Sequence, residues 1–296
     1  MIIEVTNLVK RYGEIVAVDD LSFSVERGEI FGLLGPNGAG KTTTIRIIMD
    51  ILQPDQGHVT VLGQPPHRAK SQVGYLPEER GLYRDLKVIH TLTYLGELKG
   101  VPRSEARERA QSLLAQVQLD DWADRKVRDL SRGMQQRLQF IASLIHDPRV
   151  IFLDEPFQGL DPVNTERLKH FVRDLHEQGK TIVFSTHQMS MVEALCERIL
   201  LVDHGQAVLY GKLSDIKQQY APNAIRLQAP ALPPRLDGVQ TIEEDDGAFN
   251  LELTPGTDPQ MVLRALLDRG VDVRAFEIAP VPLEDIFVAA VSRKEA

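Results

Sequence analysis

The sequence contains little cysteine, no long apolar run and no excess of positive charge, and each shortage excludes a class of protein. Cys196 is the only cysteine among 296 residues, so an intrachain disulfide is impossible and a reducing compartment is expected. Because Cys196 lies among apolar residues at helical spacing, we predict a buried structural thiol. No window reaches the roughly 18 uninterrupted apolar residues of a membrane helix, and the first residues lack the features of a secretory signal.

Charge and proline content change near residue 220. The net charge of −8 argues against a protein that coats nucleic acid through phosphate contacts. Residues 221–296 contain 7 Lys and Arg against 13 Asp and Glu, and they hold eight of the 17 prolines. This break in composition predicts two domains, 1–220 and 221–296.

Before residue 220, apolar strand-like runs alternate with amphipathic helical runs, which is typical of a sheet with helices on its faces. We predict buried strands over 29–35, 149–156 and 181–186. A helix is predicted over 41–52, and residues from about 85 to 146 are rich in helix formers and predict a helical insert.

The pattern of residues 221–296 predicts a small α+β domain, and this stretch contains no catalytic motif. Its predicted strands lie at 224–228, 239–243, 249–253 and 271–278. Its predicted helices lie at 259–269 and 282–291, the second being an amphipathic helix for which packing or a dimer contact is the favoured role.

Residues 35–42, GPNGAGKT, match the phosphate-binding loop G-x-x-x-x-G-K-[ST] between a predicted strand and a predicted helix. Glycines let the backbone turn so that its N–H groups point at phosphate oxygens, and the helix adds the positive end of its dipole. Lys41 supplies a cation for the β- and γ-phosphates, and Thr42 an oxygen ligand for Mg²⁺. The predicted nucleotide-binding residues are Gly35, Pro36, Asn37, Gly38, Ala39, Gly40, Lys41, Thr42 and Thr43.

Polar residues end two further buried strands. Asp154 and Glu155 follow VIFL, where an α/β sheet binds its ligands, so Asp154 is a candidate Mg²⁺ ligand and Glu155 a candidate to polarise the attacking water. On its own, such a pair is more often a solvated turn. His187 ends TIVFSTH; a lone histidine is usually structural, but its place beside the two other sites favours a catalytic role.

Five motifs occur in one order along the chain. They are GPNGAGKTT (35–43), LSRGMQQR (130–137), VIFLDEP (150–156), GLD (159–161) and STH (185–187). In their order and spacing the chain resembles ATP-binding subunits of ABC transporters over roughly residues 1–215. The resemblance implies an α/β P-loop NTPase fold with a mixed sheet and a helical subdomain, and an ATPase that uses ATP and Mg²⁺.

The resemblance also assigns roles to residues outside the loop. Two copies of such a domain pair head to tail, and Ser131 and Gly133 match the signature that closes over the ATP of the opposite copy. Ser131 is also a good cap for an amphipathic helix, and both descriptions hold. Asp161 matches a residue that contacts the opposite copy, and His187 one that contacts the γ-phosphate. Tyr12 matches the aromatic residue that stacks on adenine, although an aromatic near a strand is usually packing.

Two departures from the family pattern stand out. In LSRGMQQR, Arg132 and Met134 replace the usual glycine and glutamine, while the serine and the second glycine are retained. In YLPEERGLY, Glu78 stands where the family has glutamine; a carboxylate can still ligate Mg²⁺. After it, Leu82 and Tyr83 are either docking residues for a membrane partner or part of a plain amphipathic loop.

More weakly, the chain resembles a branch of bacterial exporters that includes sodium-extrusion and drug- or peptide-resistance types, in which a small C-terminal domain follows the ATPase. This implies separate transmembrane permease subunits, a second ATP-binding subunit in a homodimer, a place at the cytoplasmic face of the membrane, and no nucleic acid. The alternative is a non-transport ABC ATPase that acts on ribosomes or DNA. One ATPase half per chain and the lack of sustained heptads disfavour it.

Overall fold

The computed structural model describes residues 1–79, 81–220, 224–245, 248–254, 256–278 and 282–295. The chain forms two compact units, Met1–Leu213 and Ser214–Ala296. The composition break near residue 220 falls at the end of a helix, Leu213–Tyr220, that opens the second unit. Each unit has a hydrophobic core of its own.

The first unit contains both strands and helices, with three α-helices in succession between its fifth and sixth strands. Its strands are β1 (Ile3–Tyr12), β2 (Ile15–Val25), β3 (Ile30–Leu34), β4 (Gln56–Val61), β5 (Val73–Leu76), β6 (Val150–Asp154), β7 (Thr181–Thr186), β8 (Arg198–Asp203) and β9 (Gln206–Lys212). Its helices are α1 (Lys41–Ile48), α2 (Pro66–Ala69), α3 (Val88–Leu98), α4 (Arg103–Gln116), α5 (Arg132–Ala142), α6 (Pro162–Glu177) and α7 (Met189–Leu195), and α8 (Leu213–Tyr220) follows.

The larger sheet has the strand order β5-β6-β7-β3-β8-β9, parallel except for β9. Strands β3, β6 and β7 are buried along their whole length, which is why they appear in the sequence as unbroken apolar runs. Their carboxyl ends meet at one edge of the sheet, so the residues that follow them are brought together there. The three predicted strands and the mixed α/β class with its helices are confirmed.

A second, antiparallel sheet with the order β2-β1-β4 was not predicted. Register shifts interrupt the pairing of β1 with both neighbours, so the strict alternation of apolar and polar residues is broken. The sequence signal of these strands is therefore weak.

The helix predicted over 41–52 ends early, at Ile48. Asp50 has a left-handed backbone with φ 54°, and the N–H groups of Ile51 and Leu52 both bond to Arg46 O, at 2.8 and 3.1 Å. This turn closes the helix, because a left-handed residue and backward N–H bonds satisfy its last carbonyls. The helical insert contains α3, α4 and α5, and no described helix is both long and apolar enough to span a membrane.

In the described part of the second unit, α8 is followed by a four-stranded antiparallel sheet and two further helices. Its elements are β10 (Ala224–Gln228), β11 (Val239–Asp245), β12 (Ala248–Leu253), α9 (Pro259–Asp268), β13 (Ala275–Ile278) and α10 (Leu283–Glu295), with the strand order β11-β12-β10-β13. The strand predicted over 271–278 is wrong in its first half. The partner strand β10 ends opposite Ala275, and the N–H of Val271 closes α9 by bonding to Leu266 O at 3.0 Å.

The single cysteine is buried, as predicted. Cys196 lies against the core beside Gly32, and burial raises the pKa of its thiol well above the ordinary value. A thiol with a raised pKa is a poor nucleophile, so Cys196 is a packing residue.

Candidate functional site

Strand β3 leads through residues 35–40 into α1, and the loop between them needs glycine at two positions. Gly35 has φ 150° and Gly40 has φ 102°. A Cβ on Gly35 would lie 2.1 Å from Val202 O, and one on Gly40 would lie 2.3 Å from Ala17 O. The loop therefore packs backbone against backbone, which any side chain at these positions would prevent.

Lys41, the first residue of α1, points its ammonium back into the loop. Its Nζ donates to Gly35 O at 2.7 Å and to Pro36 O at 3.1 Å, and it lies 3.8 Å from Glu155 Oε1. Burial lowers the pKa of Lys41, and nearby carboxylates, Glu155 first, oppose the shift. The cation is thus held inside the loop, where phosphate oxygens are expected.

Asp154 ends β6 and is buried. Its Oδ1 accepts hydrogen bonds from the Ser185 hydroxyl and from Thr42 Oγ1, the latter at 3.3 Å. Its Oδ2 is buried with no hydrogen-bond partner among the described residues. Burial raises the pKa of Asp154, and the two hydroxyls oppose the shift.

These residues fit a magnesium ion. An unpartnered carboxylate oxygen beside a threonine hydroxyl offers the hard oxygen ligands that Mg²⁺ prefers, and a cation there would satisfy Asp154 Oδ2. Among the described residues there is no group of three or more His, Cys, Asp and Glu suited to hold a metal. Mg²⁺ usually takes only one or two carboxylates, together with substrate phosphates.

Glu155 follows β6 with a left-handed backbone, φ 48°. Its N–H bonds to Ser185 O at 3.1 Å, which fixes this turn. Its Oε2 accepts from Thr186 Oγ1 at 3.1 Å, and its Oε1 lies 3.0 Å from His187 Nδ1. The carboxylate is 6% exposed and thus locked in one orientation by the end of β7. Sequence reasoning assigned roles to Glu155 and His187, whereas Ser185 and Thr186 of the STH motif received none.

The loop, the carboxylates and one neighbouring strand form a cleft of about 300 Å³. Its lining residues are Ala17, Asn37, Gly38, Ala39, Gly40, Lys41, Thr42, Thr43, Glu78 and Glu155. Glu78 is thereby placed with the phosphate loop, and its charge favours the protonated form of Lys41. Ala17, on β2, was missed because no sequence motif marks a residue that meets the loop through its backbone.

Two buried glutamines on α5 fix the loops around the cleft. Gln139 Nε2 donates to Pro77 O at 3.2 Å and to Glu79 O at 3.0 Å, on either side of Glu78. Gln136 Nε2 donates to Pro156 O at 3.3 Å, just after the carboxylate pair. The signal that could have found them is their position on the apolar stripe of an amphipathic helix, where a polar side chain needs partners.

The predicted signature residues do not line this cleft. Ser131 caps α5 and accepts from Met134 N at 3.3 Å, and Asp161 caps α6 and accepts from Asn164 N at 2.9 Å. Gly133 lies in the first turn of α5 and Asn164 in the first turn of α6. A Cβ on Gly133 would lie 3.8 Å from Asn164 Nδ2, so the two capped helix ends are neighbours. They form a separate surface with two helix N-termini.

Tyr12 also lies outside the cleft lining. It ends β1 next to the turn into β2, is 47% exposed, and has the Lys10 ammonium 5.7 Å from its ring centre. An exposed ring beside the strand that carries Ala17 is available for stacking, and it is not a core residue.

An apolar surface adjoins the loop that carries Glu78. Leu82 lines a cleft of about 350 Å³ whose walls include Leu95, Leu98 and His146. Tyr83 packs edge to face on Tyr94, with ring centroids 5.6 Å apart, and both rings are more than 40% exposed.

Two protein families match the chain. Residues 18–158 match the family described as "ABC transporter", and residues 211–291 match "ATP-binding protein DrrA1-3-like, C-terminal domain".

Curated relatives match over most of their length. An uncharacterized ABC transporter ATP-binding protein of Methanocaldococcus jannaschii is 47% identical over 74% of this chain and 80% of the relative. Another, from Bacillus subtilis, is 37% identical over 97% of both chains. The Nod factor export ATP-binding protein I of Paraburkholderia xenovorans is 34% identical over 99% of this chain and 97% of the relative.

Solved structures of similar fold are also ATP-binding subunits or cassettes. One titled as the ATP-binding subunit of an ABC transporter is 29% identical, with a TM-score of 0.69, over 74% of this chain and 93% of that one. A dimeric ATP-binding cassette in a post-hydrolysis state with ADP and phosphate is 26% identical, with a TM-score of 0.65, over 71% of this chain and 98% of that one. The chain belongs to the family of ABC transporter ATP-binding proteins, and it is an ATPase of that family.

Proposed function

We propose that this chain is the ATP-hydrolysing subunit of an exporter, in which two copies close head to tail on ATP and drive separate membrane subunits. One observation carries the proposal. The Glu155 carboxylate is held by Thr186 and His187 in a buried position, 3.8 Å from the ammonium of Lys41. This arrangement suits a group that orients water beside a bound γ-phosphate.

Each cleft residue then has a chemical task. Lys41 and the N–H groups of the loop bind the β- and γ-phosphates. Thr42 and Asp154 hold Mg²⁺, with Glu78 as a further ligand, and the ion when bound neutralises charge on the phosphate oxygens. Glu155 accepts a hydrogen bond from the attacking water.

His187 holds Glu155 in place and reaches the γ-phosphate from its 40% exposed position. Because a carboxylate locked by hydrogen bonds needs no reorientation, its interaction with water is available as soon as the substrate is bound.

The surface formed by Ser131, Gly133 and Asp161 supports the head-to-tail dimer. A capping hydroxyl, a glycine that permits close approach and two helix N-termini are suited to a phosphate presented by another molecule. Because none of the three lines the cleft of its own chain, their proposed nucleotide is the one bound by the second copy. Tyr12, exposed beside the cleft, is the proposed adenine contact.

The membrane partner is proposed to dock on the apolar cleft of Leu82 and on the Tyr83–Tyr94 pair. Gln139 links the neighbouring loop to α5, so movement there reaches Glu78. The Nod factor export relatives support export as the direction. The chain would then act at the cytoplasmic face of a membrane without nucleic acid.

The test is Glu155→Gln. Turnover of Mg-ATP is expected to fall by about 100-fold or more, because the group that orients water is lost while the phosphate contacts remain. Sedimentation velocity is expected to show a stable dimer with ATP and a monomer without it. Glu166→Gln, which removes an exposed carboxylate of α6 paired with Lys169, is the matched control and should leave both unchanged.

Full turnover of the variant would disprove the role of Glu155, and a monomer under both conditions would disprove the shared site. Purification of tagged Glu155→Gln protein from host membranes with Mg-ATP tests the partner. Recovery of a polytopic membrane protein in near-equal amount is expected, whereas recovery with ribosomes or DNA would overturn the transport function.

A further inference from the structure

A cleft of about 230 Å³ lies between the end of α4, the middle of α5 and one face of α6, and it shares no lining residue with the nucleotide cleft. Its apolar wall is formed by Phe140, Leu168 and Phe171. The two rings pack edge to face with centroids 5.3 Å apart, which gives this wall a fixed shape.

Two arginines without a salt bridge face this wall. Arg137 Nη1 donates to Val117 O at 2.6 Å, but its Nε is buried and has no hydrogen-bond partner among the described residues. Arg167 lines the same cleft, and no ion pair to either arginine occurs in the part of the chain that the structure describes. Burial lowers the pKa of Arg137, the nearby charge of Arg167 lowers it further, and the charge of Asp161 opposes the shift. The two guanidinium groups thus repel each other, and the Asp161 carboxylate acts on Arg137 without forming an ion pair with it in the described part of the chain.

The one carboxylate that lines the cleft lies at its other end. Asp174 follows Arg167 by seven residues on α6, which is about 10.5 Å along the helix axis. Along α6 the lining is therefore polarised, with Arg167 toward one end of the cleft, His170 in the middle and Asp174 toward the other end. A second cleft of about 170 Å³ adjoins it and shares Gln116, Phe171 and Asp174 as lining residues.

We propose that this cleft binds a small amphiphilic anion. The anionic head, a carboxylate, sulfonate or phosphate, accepts hydrogen bonds from Arg137 and Arg167, whose planar donor groups suit such oxygens. The aromatic or acyl body packs on Phe140 and Phe171. An apolar wall with a few convergent donors is the usual composition of a small-molecule site.

The location of this cleft between α5 and α6 suits a regulatory site. Helix α5 begins directly after Ser131, and α6 begins directly after Asp161. A bound anion contacts both helices and therefore holds together the two elements whose N-termini, on the proposed function, face the second copy.

The probe is 2-naphthalenesulfonate, titrated by calorimetry into the full chain in saturating ADP, so that the phosphate loop is not available to the sulfonate. Saturable binding at one site is expected. Arg167→Gln is expected to weaken it roughly 10- to 100-fold, the usual effect of losing a hydrogen bond to a charged group. Inorganic sulfate, which lacks the apolar body, and 2-naphthalenemethanol, which lacks the charge, should each bind at least about tenfold more weakly.

The matched control is Arg107→Gln, which removes an exposed arginine of α4 that lines neither cleft. Its affinity should equal that of the unchanged chain. Hydrogen exchange should show protection of α5 and α6 on binding. Equal affinity in Arg167→Gln and the unchanged chain, or no saturable binding of the sulfonate, would overturn the proposal.

Discussion

At the scale of single residues, buried hydroxyl side chains to which sequence reasoning assigned no role decide the geometry of the ATP site. Ser185 and Thr186 end β7 and hold Asp154 and Glu155. On its own, an Asp-Glu pair after a strand is usually part of a solvated turn. Here the two hydroxyls give the two carboxylates different surroundings. Asp154 keeps one oxygen for a cation, while both oxygens of Glu155 have partners.

His146 is the buried residue whose titration should appear in the stability of the protein. It is 9% exposed, its Nε2 donates to Val73 O at 3.0 Å, and burial followed by the charge of Lys99 lowers its pKa from 6.5 to about 4. Above pH 6.5 it is neutral in both folded and unfolded chains. Between these pH values only the unfolded chain takes up the proton, so the free energy of unfolding falls as pH falls, by about 3 kcal/mol at pH 4.

Urea denaturation from pH 7 to pH 4, followed by the fluorescence of the single tryptophan, Trp122, measures this effect. The variant His146→Gln lacks the titration, so its stability relative to the unchanged chain should improve over that range. Parallel curves for the two proteins would contradict the shifted pKa.

Sequence reasoning found the residues that sit at fixed offsets in a local pattern. Lys41 and Thr42 follow from the loop spacing, and Asp154 and Glu155 from an apolar run that ends in carboxylates. Ala17 could not be found in this way, because it meets Gly40 only after two sheets have packed together. Contacts between residues distant in the chain leave no mark in a single sequence.

At the scale of elements, a polar cluster helps to join the two sheets of the first unit. Arg198, which opens β8, pairs with Glu29 Oε1 at 3.0 Å, and its Nη2 donates to the hydroxyl of Tyr210 on β9 at 2.6 Å. The same hydroxyl bonds to the backbone of Ser24 on β2 at 3.0 Å. The cluster is well satisfied, because Glu29 also accepts from Glu26 N at 2.6 Å.

The substitution Glu29→Gln tests how much this cluster contributes to the free energy of unfolding. Glu29 is 7% and Arg198 17% exposed, so the substitution leaves a guanidinium charge largely buried without its partner. The free energy of unfolding is expected to fall by about 3 kcal/mol. Glu105→Gln, which breaks an exposed pair with Arg109 on α4, should change it by less than about 0.5 kcal/mol. Equal small losses in both variants, measured by urea denaturation, would show that the cluster contributes no more than a surface pair.

Elements buried on both faces were predictable, and elements that depend on pairing were less so. The interiors of strands β3, β6 and β7 are unbroken apolar runs, and their polar residues stand at the strand ends. By contrast, β13 begins only at Ala275, opposite the last residue of its partner β10. Residues 271–274 alternate between apolar and polar as a strand does, although Val271 closes α9. The length of a strand is set by its neighbour as much as by its own residues.

At the scale of the whole molecule, chemistry and accessory structure are separated along the chain. Every residue that lines the nucleotide cleft lies between Ala17 and Glu155, and the supporting residues of β7 end at His187. The second unit packs around its own core, which includes Ile225, Leu251 and Leu266. The acidic, proline-rich composition that separates residues 221–296 in the sequence thus belongs to a part that supplies no described residue to the ATP site.

This separation predicts that a chain ending at Tyr220 keeps its nucleotide affinity. Calorimetric titration with Mg-ADP, which avoids turnover, is expected to give dissociation constants within about twofold for the shortened and the full chain, a difference of less than half a kcal/mol. Lys41→Ala in the full chain is the reference for real damage to the site, because it removes the ammonium that the loop carbonyls hold. If the shortened chain bound ADP as weakly as the Lys41 variant, the second unit would have to support the phosphate loop, and the ATP site could not be regarded as a property of the first unit alone.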